Sequence, residues 1–217
     1  MNWNIPGTVL TVADREAESV QAQFQAMFLP GGMVLSQISG ITGLEPYIIQ
    51  NWVKRGFLTK PQNKRYSLRQ LCRIININML KGILPMERIC GMLGYINGQL
   101  DDNSDDLIDD SKLYFMFVQL AANARELYRS EDRDALLDAA LADYVEPVPG
   151  AKMRVKQVLR IMLTAWLAAR MTQEAEKMLQ ETKPDIAIVT TENKTYVLSQ
   201  APYSTASNWK QILSPTG

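Results

Sequence analysis

Residues 43–66 read GLEPYIIQNWVKRGFLTKPQNKRY, and this stretch decides the predicted fold of the first half of the chain. Pro46 stands where a helix would begin, because its fixed φ suits the first helical position and its missing N–H would have had no partner there. Apolar residues then recur on one helical face, and Gly56 supplies a stop signal. The opposite face is predicted to carry the hydrogen-bonding side chains Tyr47, Gln50, Asn51 and Lys54.

The residues after this helix form a short basic segment. The stretch 57–66 is too short for another helix and contains Pro61, so it predicts a loop or a small hairpin. Its basic residues are Lys60, Lys64 and Arg65. A helix with a polar face followed by a basic loop is typical of proteins that insert a helix into a DNA groove.

Helix signals also lie upstream of the deciding stretch. Ser36 is predicted to cap a short helix over residues 37–41, and Gly43 lies in the turn that leads to the next helix. Two helices joined by a short glycine-containing turn are a helix-turn-helix. Before them, residues 1–12 are predicted to be an irregular arm and residues 13–28 a helix.

Downstream signals complete a predicted helix-turn-helix module over residues 33–98. Ser67 and Gln70 match a capping box, which predicts a helix that ends near Gly82. Pro85 is predicted to open the last helix of the module.

The second half of the chain predicts helices and then a hairpin. Residues 99–110 are predicted to be a solvated acidic linker, and residues 111–182 an all-α domain for dimerisation or partner binding. Ser111 and Ser130 are predicted caps of its first helices. Residues 183–217 predict a β-hairpin with Asn193 in its turn, followed by a loose tail. The predicted fold class is therefore mainly α.

The neutral total charge of the 217-residue chain hides an asymmetry between its halves. Residues 33–93 hold nine Lys or Arg against two Glu, a balance of +7, whereas residues 99–147 hold thirteen acids against four basic residues, a balance of −9. Such asymmetry predicts a basic module beside an acidic one, with the basic module as the nucleic-acid candidate.

Several classes of site and location are disfavoured by composition. The chain has no histidine and two cysteines, Cys72 and Cys90, outside any CxxC motif, which predicts reduced thiols, no metal site and no cofactor. The N-terminus lacks the features of a signal peptide. The most apolar stretch, residues 161–169, is about half a membrane span. The prediction is a cytoplasmic protein without a membrane partner.

The ordered signals over residues 33–95 resemble the winged helix-turn-helix of MerR-type regulators. The resemblance rests on the TG turn, the recognition helix ending in RGFL, the KRYS step and the LPMERI helix start. It is nearest to uncharacterised bacterial members that carry an extra helical segment. The family implies that Tyr47, Gln50 and Asn51 face the groove. It also implies that Lys54, Lys64 and Arg65 touch the DNA backbone or flank the groove, and that Tyr66 packs as the aromatic residue of the wing and reaches a phosphate.

The predicted function is a sequence-specific, DNA-binding regulator of transcription that acts as a homodimer on double-stranded DNA, with an effector that the sequence does not identify. An alternative is a protein-interaction adaptor that uses the helix-turn-helix fold without DNA. The acidic second half and neutral total charge favour that alternative. An enzyme is disfavoured because the chain offers no histidine, phosphate loop or nucleophile motif, and no catalytic residue is predicted.

Overall fold

The computed structural model describes residues 3–12, 17–102, 104–122 and 132–181, and the backbone of two strands over residues 186–191 and 194–199. Within these residues the protein is mainly α-helical with short two-stranded sheets, which confirms the predicted mainly helical class. No helix among the described residues is long and apolar enough to cross a membrane.

The described residues form eight helices and six short strands. The helices are α1 Ala17–Phe28, α2 Leu35–Thr42, α3 Pro46–Lys54, α4 Leu68–Leu80, α5 Met86–Asn97, α6 Asp110–Ala122, α7 Asp132–Ala140 and α8 Ala151–Glu181. The strands form three antiparallel pairs: β1 Trp3–Asn4 with β2 Thr11–Val12, β3 Met33–Val34 with β4 Arg65–Tyr66, and β5 Ile186–Thr191 with β6 Lys194–Ser199.

The chain divides into two compact units, residues 1–169 and 170–217. In the first unit α4 is the central helix, since nine of its thirteen residues are buried and α1, α2, α5 and α6 all contact it. The core continues from Leu93 in α5 to Leu113 in α6. The apolar core therefore does not stop at the predicted boundaries of the acidic stretch.

The predicted irregular arm is wrong for residues 3–12. Trp3 and Ile5 are buried, and the strands β1 and β2 pair with each other. Two side chains hold the segment: the hydroxyl of the buried Tyr114 donates to the Pro6 carbonyl at 3.0 Å, and the Asn78 amide donates to the Gly7 carbonyl at 3.0 Å. The two apolar residues at alternate positions explain the burial, since they face the same side of the extended chain.

Residues 106–110, the second half of the acidic stretch, are not a solvated linker, contrary to the prediction. Ile108 and Asp110 are buried, at 3 % and 1 % exposure, and Asp106 forms a 2.7 Å ion pair with Arg69 of α4. The cap also differs from the prediction. The Asp109 carboxylate accepts the N–H of Ser111 at 2.8 Å, and α6 begins at Asp110, so Asp109 rather than Ser111 caps the helix.

The second unit contains the predicted hairpin. Strands β5 and β6 pair antiparallel over six residues each, in the register Ile186 with Ser199 to Thr191 with Lys194. This confirms the hairpin predicted from two β-branched and aromatic runs. Asn193, Ser130 and the predicted loose tail over residues 201–217 lie outside the described residues.

Candidate nucleic-acid interface

Helix α3 carries the predicted polar face on its exposed side. Tyr47, with 68 % of its surface exposed, is one of four exposed residues on this face. The other three are Gln50, Asn51 and Lys54. On the opposite side Ile49 and Trp52 are buried in the core. The structure therefore brings the four predicted residues together on one accessible surface.

The turn between α2 and α3 is fixed by hydrogen bonds on both sides of Gly43. Gly43 has φ +68° and donates its N–H to the Ser39 carbonyl at 2.8 Å, which ends α2. The Thr42 hydroxyl accepts the N–H of Leu44 at 3.3 Å, and the Asn78 amide of α4 donates to the Thr42 carbonyl at 3.0 Å. These bonds orient α3 relative to the core.

The start of α2 differs in detail from the prediction. The helix begins at Leu35, and the Gln37 side chain accepts the N–H of Val34 at 3.0 Å. Ser36 is therefore inside the first turn and is not the cap. The strand pair β3–β4 sets this start, because it makes Val34 the last extended residue before the helix.

The end of α3 is closed by a Schellman-type pattern. The N–H of Gly56, which has φ +74°, donates to Val53, and the N–H of Phe57 donates to Trp52 at 2.9 Å. Arg55 turns away from the polar face. Its guanidinium pairs with Glu87 at 2.9 Å and lies 4.5 Å from the centre of the Phe57 ring.

The predicted basic loop is a small hairpin with a tight tip. The N–H of Arg65 donates to the Gln62 carbonyl at 2.8 Å, and the two tip residues, Asn63 and Lys64, have φ values of +49° and +61°. Positive φ at both central residues is the geometry of a type I′ turn. The loop also presents Lys60 as an exposed cation. The Arg65 guanidinium is exposed but donates to the Gly32 carbonyl at 2.9 Å, which ties the loop to the start of β3.

Gln70 connects this loop to the capping box that the sequence predicted. Its side-chain oxygen accepts the N–H of Ser67 at 2.9 Å, and Ser67 accepts the N–H of Gln70 at 3.2 Å, which confirms the predicted box. The amide nitrogen of Gln70 donates to the carbonyls of Thr59 and Lys60 and to the Thr59 hydroxyl. One side chain thus caps α4 and braces the base of the loop.

Tyr66 is placed differently from the other predicted site residues. It is 4 % exposed and packs in the core, where burial raises the pKa of its hydroxyl. Its backbone pairs with Met33 in the β3–β4 sheet. Tyr66 is therefore a packing residue of the loop and does not share the exposed surface of Lys60 and Lys64.

Sequence reasoning missed the ionic cluster that joins α4 to the acidic stretch. Arg69 pairs with Asp106, Asp109 and Asp110, and Arg73 lies 3.3 Å from Asp110. Burial raises the pKa of the Asp110 carboxyl, and the two arginines oppose that rise. The spacing of Arg69 and Arg73 by one helical turn was the available signal.

The cluster changes the charge available at the surface. Arg55, Arg69 and Arg73 are three of the nine basic residues counted in residues 33–93, and all three pair with carboxylates. The other six lie outside the ion pairs found among the described residues: Lys54, Lys60, Lys64, Arg65, Lys81 and Arg88. The surface charge of the segment is therefore positive but smaller than the sequence count implied.

Cys72 is buried and Cys90 is half-buried, both are free, and burial raises the pKa of each. In the part of the chain that the structure describes, no three metal-binding side chains cluster together.

Comparison with known proteins finds a similarity to a family other than the one that the sequence signals suggested. Residues 31–117 match the model of a domain of unknown function, DUF1836. The chain is also similar to the uncharacterized protein YkrK of Bacillus subtilis strain 168, with 23 % identity over 160 residues that cover 66 % of this chain and 67 % of that protein. No solved structure matches the chain.

The resemblance to MerR-type regulators is therefore wrong. The match to DUF1836 covers the residues that carried the resemblance, and nothing found supports the MerR family. The physical reason lies in the kind of signal used. Caps, glycine turns and proline starts report the local geometry that any short helix-turn-helix sequence needs, so they do not identify one family.

Proposed function

We propose that the protein binds double-stranded DNA through a winged helix-turn-helix formed by α2, α3 and the loop of residues 60–65, and that it regulates transcription. The observation that carries the proposal is the exposed face of α3. Tyr47, Gln50 and Asn51 are uncharged hydrogen-bonding residues, whereas a helix face that only meets solvent is usually richer in Glu and Lys.

The chemistry of this face fits the major groove. Gln50 and Asn51 offer amide groups that can pair with the N6 and N7 atoms of adenine. Lys54, at the end of the helix, offers a cation that can contact the phosphates of the DNA backbone. The fixed turn at Gly43 supports the proposal, because base recognition requires a helix held in one orientation.

The loop supplies the proposed backbone contacts. Lys60 and Lys64 are exposed cations outside the ion pairs found among described residues, and Gln70 holds the loop base in place. Electrostatic contacts of this kind position a protein without reading sequence. Tyr66 is left out of the proposed interface because it is buried.

Two copies of the chain are part of the proposal. One module of this size offers few phosphate contacts, and a dimer would raise affinity through effective concentration. Two recognition helices would then enter successive major grooves about 34 Å apart. A regulator of this kind would act in the cytoplasm, where a bacterial chromosome lies.

The direct test is selection of bound sequences from a random duplex pool with the purified full chain. We expect enrichment of a defined site, and we expect Gln50→Ala/Asn51→Ala to abolish enrichment while retaining weak binding to any duplex. Lys112→Ala, a change of an exposed lysine on α6 outside the proposed interface, should leave the selected site unchanged. Failure of the wild-type chain to enrich any sequence would contradict the proposal.

A protein-interaction adaptor is the second candidate. It is favoured by the pairing of Arg55, Arg69 and Arg73 with carboxylates, which reduces the charge available for phosphates. The two candidates differ in salt dependence. DNA binding should weaken steeply with salt and be lost in Lys64→Ala/Arg65→Ala, whereas absent or salt-independent duplex binding would favour the adaptor.

A further inference from the structure

A groove of about 1040 Å³ lies between the loop of residues 60–65 and the first half of α4. It is separate from the polar face of α3, since none of the four residues of that face lines it. Phe28, Leu58, Leu68 and Leu100 contribute apolar walls. Grooves that combine apolar walls with a few polar groups are typical of small-molecule sites.

Arg73 lines this groove and has an unused donor. The residue is 5 % exposed, its Nε donates to the Phe57 carbonyl at 3.0 Å, and its Nη1 lies 3.3 and 3.4 Å from the Asp110 carboxylate oxygens. Its Nη2 has no hydrogen-bond partner among the described residues. A guanidinium nitrogen without a hydrogen-bond partner in the protein can donate to an acceptor group that binds in the groove.

The charges around the groove favour an anion. Four cationic side chains line it, and two of them, Lys60 and Arg65, lie outside the ion pairs found among the described residues. The four cationic residues are Lys60, Arg65, Arg69 and Arg73. The contact between Arg73 and Asp110 is longer than the 2.7–2.9 Å usual for a charge-assisted hydrogen bond, so Asp110 does not saturate the guanidinium.

We propose that this groove binds a small organic anion whose carboxylate or phosphate group accepts a hydrogen bond from Arg73 Nη2 and whose apolar body lies against Phe28 and the three leucines. The planar fork of arginine matches both acid groups. This site goes beyond the proposed DNA-binding function and does not depend on it. Because Lys60 and Arg65 line the groove, the bound anion would also contact the loop proposed to meet DNA.

The test is a titration of the full chain, without DNA, followed by two-dimensional NMR of backbone amides. Three probes share one apolar body and differ in the head group: hexanoate, hexyl phosphate and hexanol, each at matched ionic strength. We expect at least one of the two acids to bind at least tenfold more tightly than hexanol, with saturable shifts at Gly32, Gly56 and Ser67. The tighter acid identifies the head group. Equal binding of all three probes, or no saturable shift with either acid, would overturn the proposal.

Variants assign the site to Arg73. Arg73→Lys keeps the positive charge but loses the planar guanidinium fork. It should weaken the binding of the tighter-binding acid at least tenfold. Arg73→Gln/Asp110→Asn removes both buried charges together, so neither is left unpaired, and it should also lose the acid while melting as one cooperative transition. Lys54→Gln, on the polar face of α3, is the matched control and should bind as the wild type does. Unchanged acid binding in the double variant would overturn the assignment.

Discussion

At the scale of single residues, two glycines fix the close approaches on which the packing depends. Gly43 ends α2 in the left-handed region, and Gly7 lets the N-terminal segment pass close to α4. A Cβ at Gly7 would lie 2.7 Å from Ile75 Cγ2 and 2.9 Å from the Ile75 carbonyl oxygen. The second contact is with backbone and cannot be relieved by a side-chain rotation.

Gly7→Ala is predicted to lower the free energy of unfolding by about 2 kcal/mol, because the φ of +72° is strained for alanine and the added Cβ clashes with α4. Denaturant unfolding would measure this change. Gly40→Ala is the control, since Gly40 lies in α2 with nothing within 4 Å of its Cβ position, and it should be neutral or stabilise by about 1 kcal/mol. Equal effects of both changes would contradict the packing of residues 3–12 on α4.

At the scale of elements, the loop of residues 60–65 depends on α4 for its position. Gln70→Ala removes the capping bond to Ser67 and the bonds to Thr59 and Lys60, and it should cost about 1 kcal/mol of stability. Gln70→Glu separates the two roles, because it keeps the capping oxygen and loses the amide donor. We expect Gln70→Glu to accelerate hydrogen exchange of loop amides while the first turn of α4 stays protected.

If exchange in the loop were unchanged in Gln70→Glu, the loop would be held by its own type I′ turn and by β4 alone. The bond from Arg65 to the Gly32 carbonyl is the other tie between the loop and the fold. Arg65→Ala with intact Gln70 is therefore the companion variant. Hydrogen exchange of its loop amides shows how much the Arg65 bond and the Gln70 bonds each stabilise the loop.

Features that depend on residues close in sequence were predictable, whereas features that depend on contacts between distant parts of the chain were not. The helix from Pro46 and the capping box of Ser67 follow from residues within one turn, so the sequence predicted both. The burial of Trp3 and Asp110 depends on tertiary packing, which no local pattern reveals. The polar face of α3 was predictable from helical periodicity, whereas the brace by Gln70 and the burial of Tyr66 required tertiary structure.

At the scale of the whole molecule, buried charge joins the segment proposed to bind DNA to the helices that follow it. Arg73 and Asp110 are 5 % and 1 % exposed and connect α4 to α6. Asp110→Ala removes the carboxylate that pairs with the buried Arg73. We expect this change to lower the free energy of unfolding by about 3–5 kcal/mol. Asp134→Ala breaks an exposed ion pair with Arg160 and should lower the free energy of unfolding by less than about 1 kcal/mol.

Thermal or chemical unfolding of the two aspartate variants would test whether residues 3–122 unfold together. A loss in Asp110→Ala as small as that in Asp134→Ala would contradict a structural role for the buried pair. A second transition in Asp110→Ala would instead separate α4 from α6 as folding units, in line with the domains predicted from the sequence.

The most direct test of the central claim is the salt dependence of duplex binding, measured by fluorescence anisotropy with the sequence selected from the random pool. We predict that log K falls steeply with log salt and that Lys60→Ala/Lys64→Ala reduces the slope by about 2 in magnitude. Lys112→Ala/Lys177→Ala, which removes two exposed lysines outside the proposed interface, should leave the slope unchanged. Duplex binding that is absent at low salt, or equal slopes in both double variants, would contradict DNA recognition by α3 and its loop.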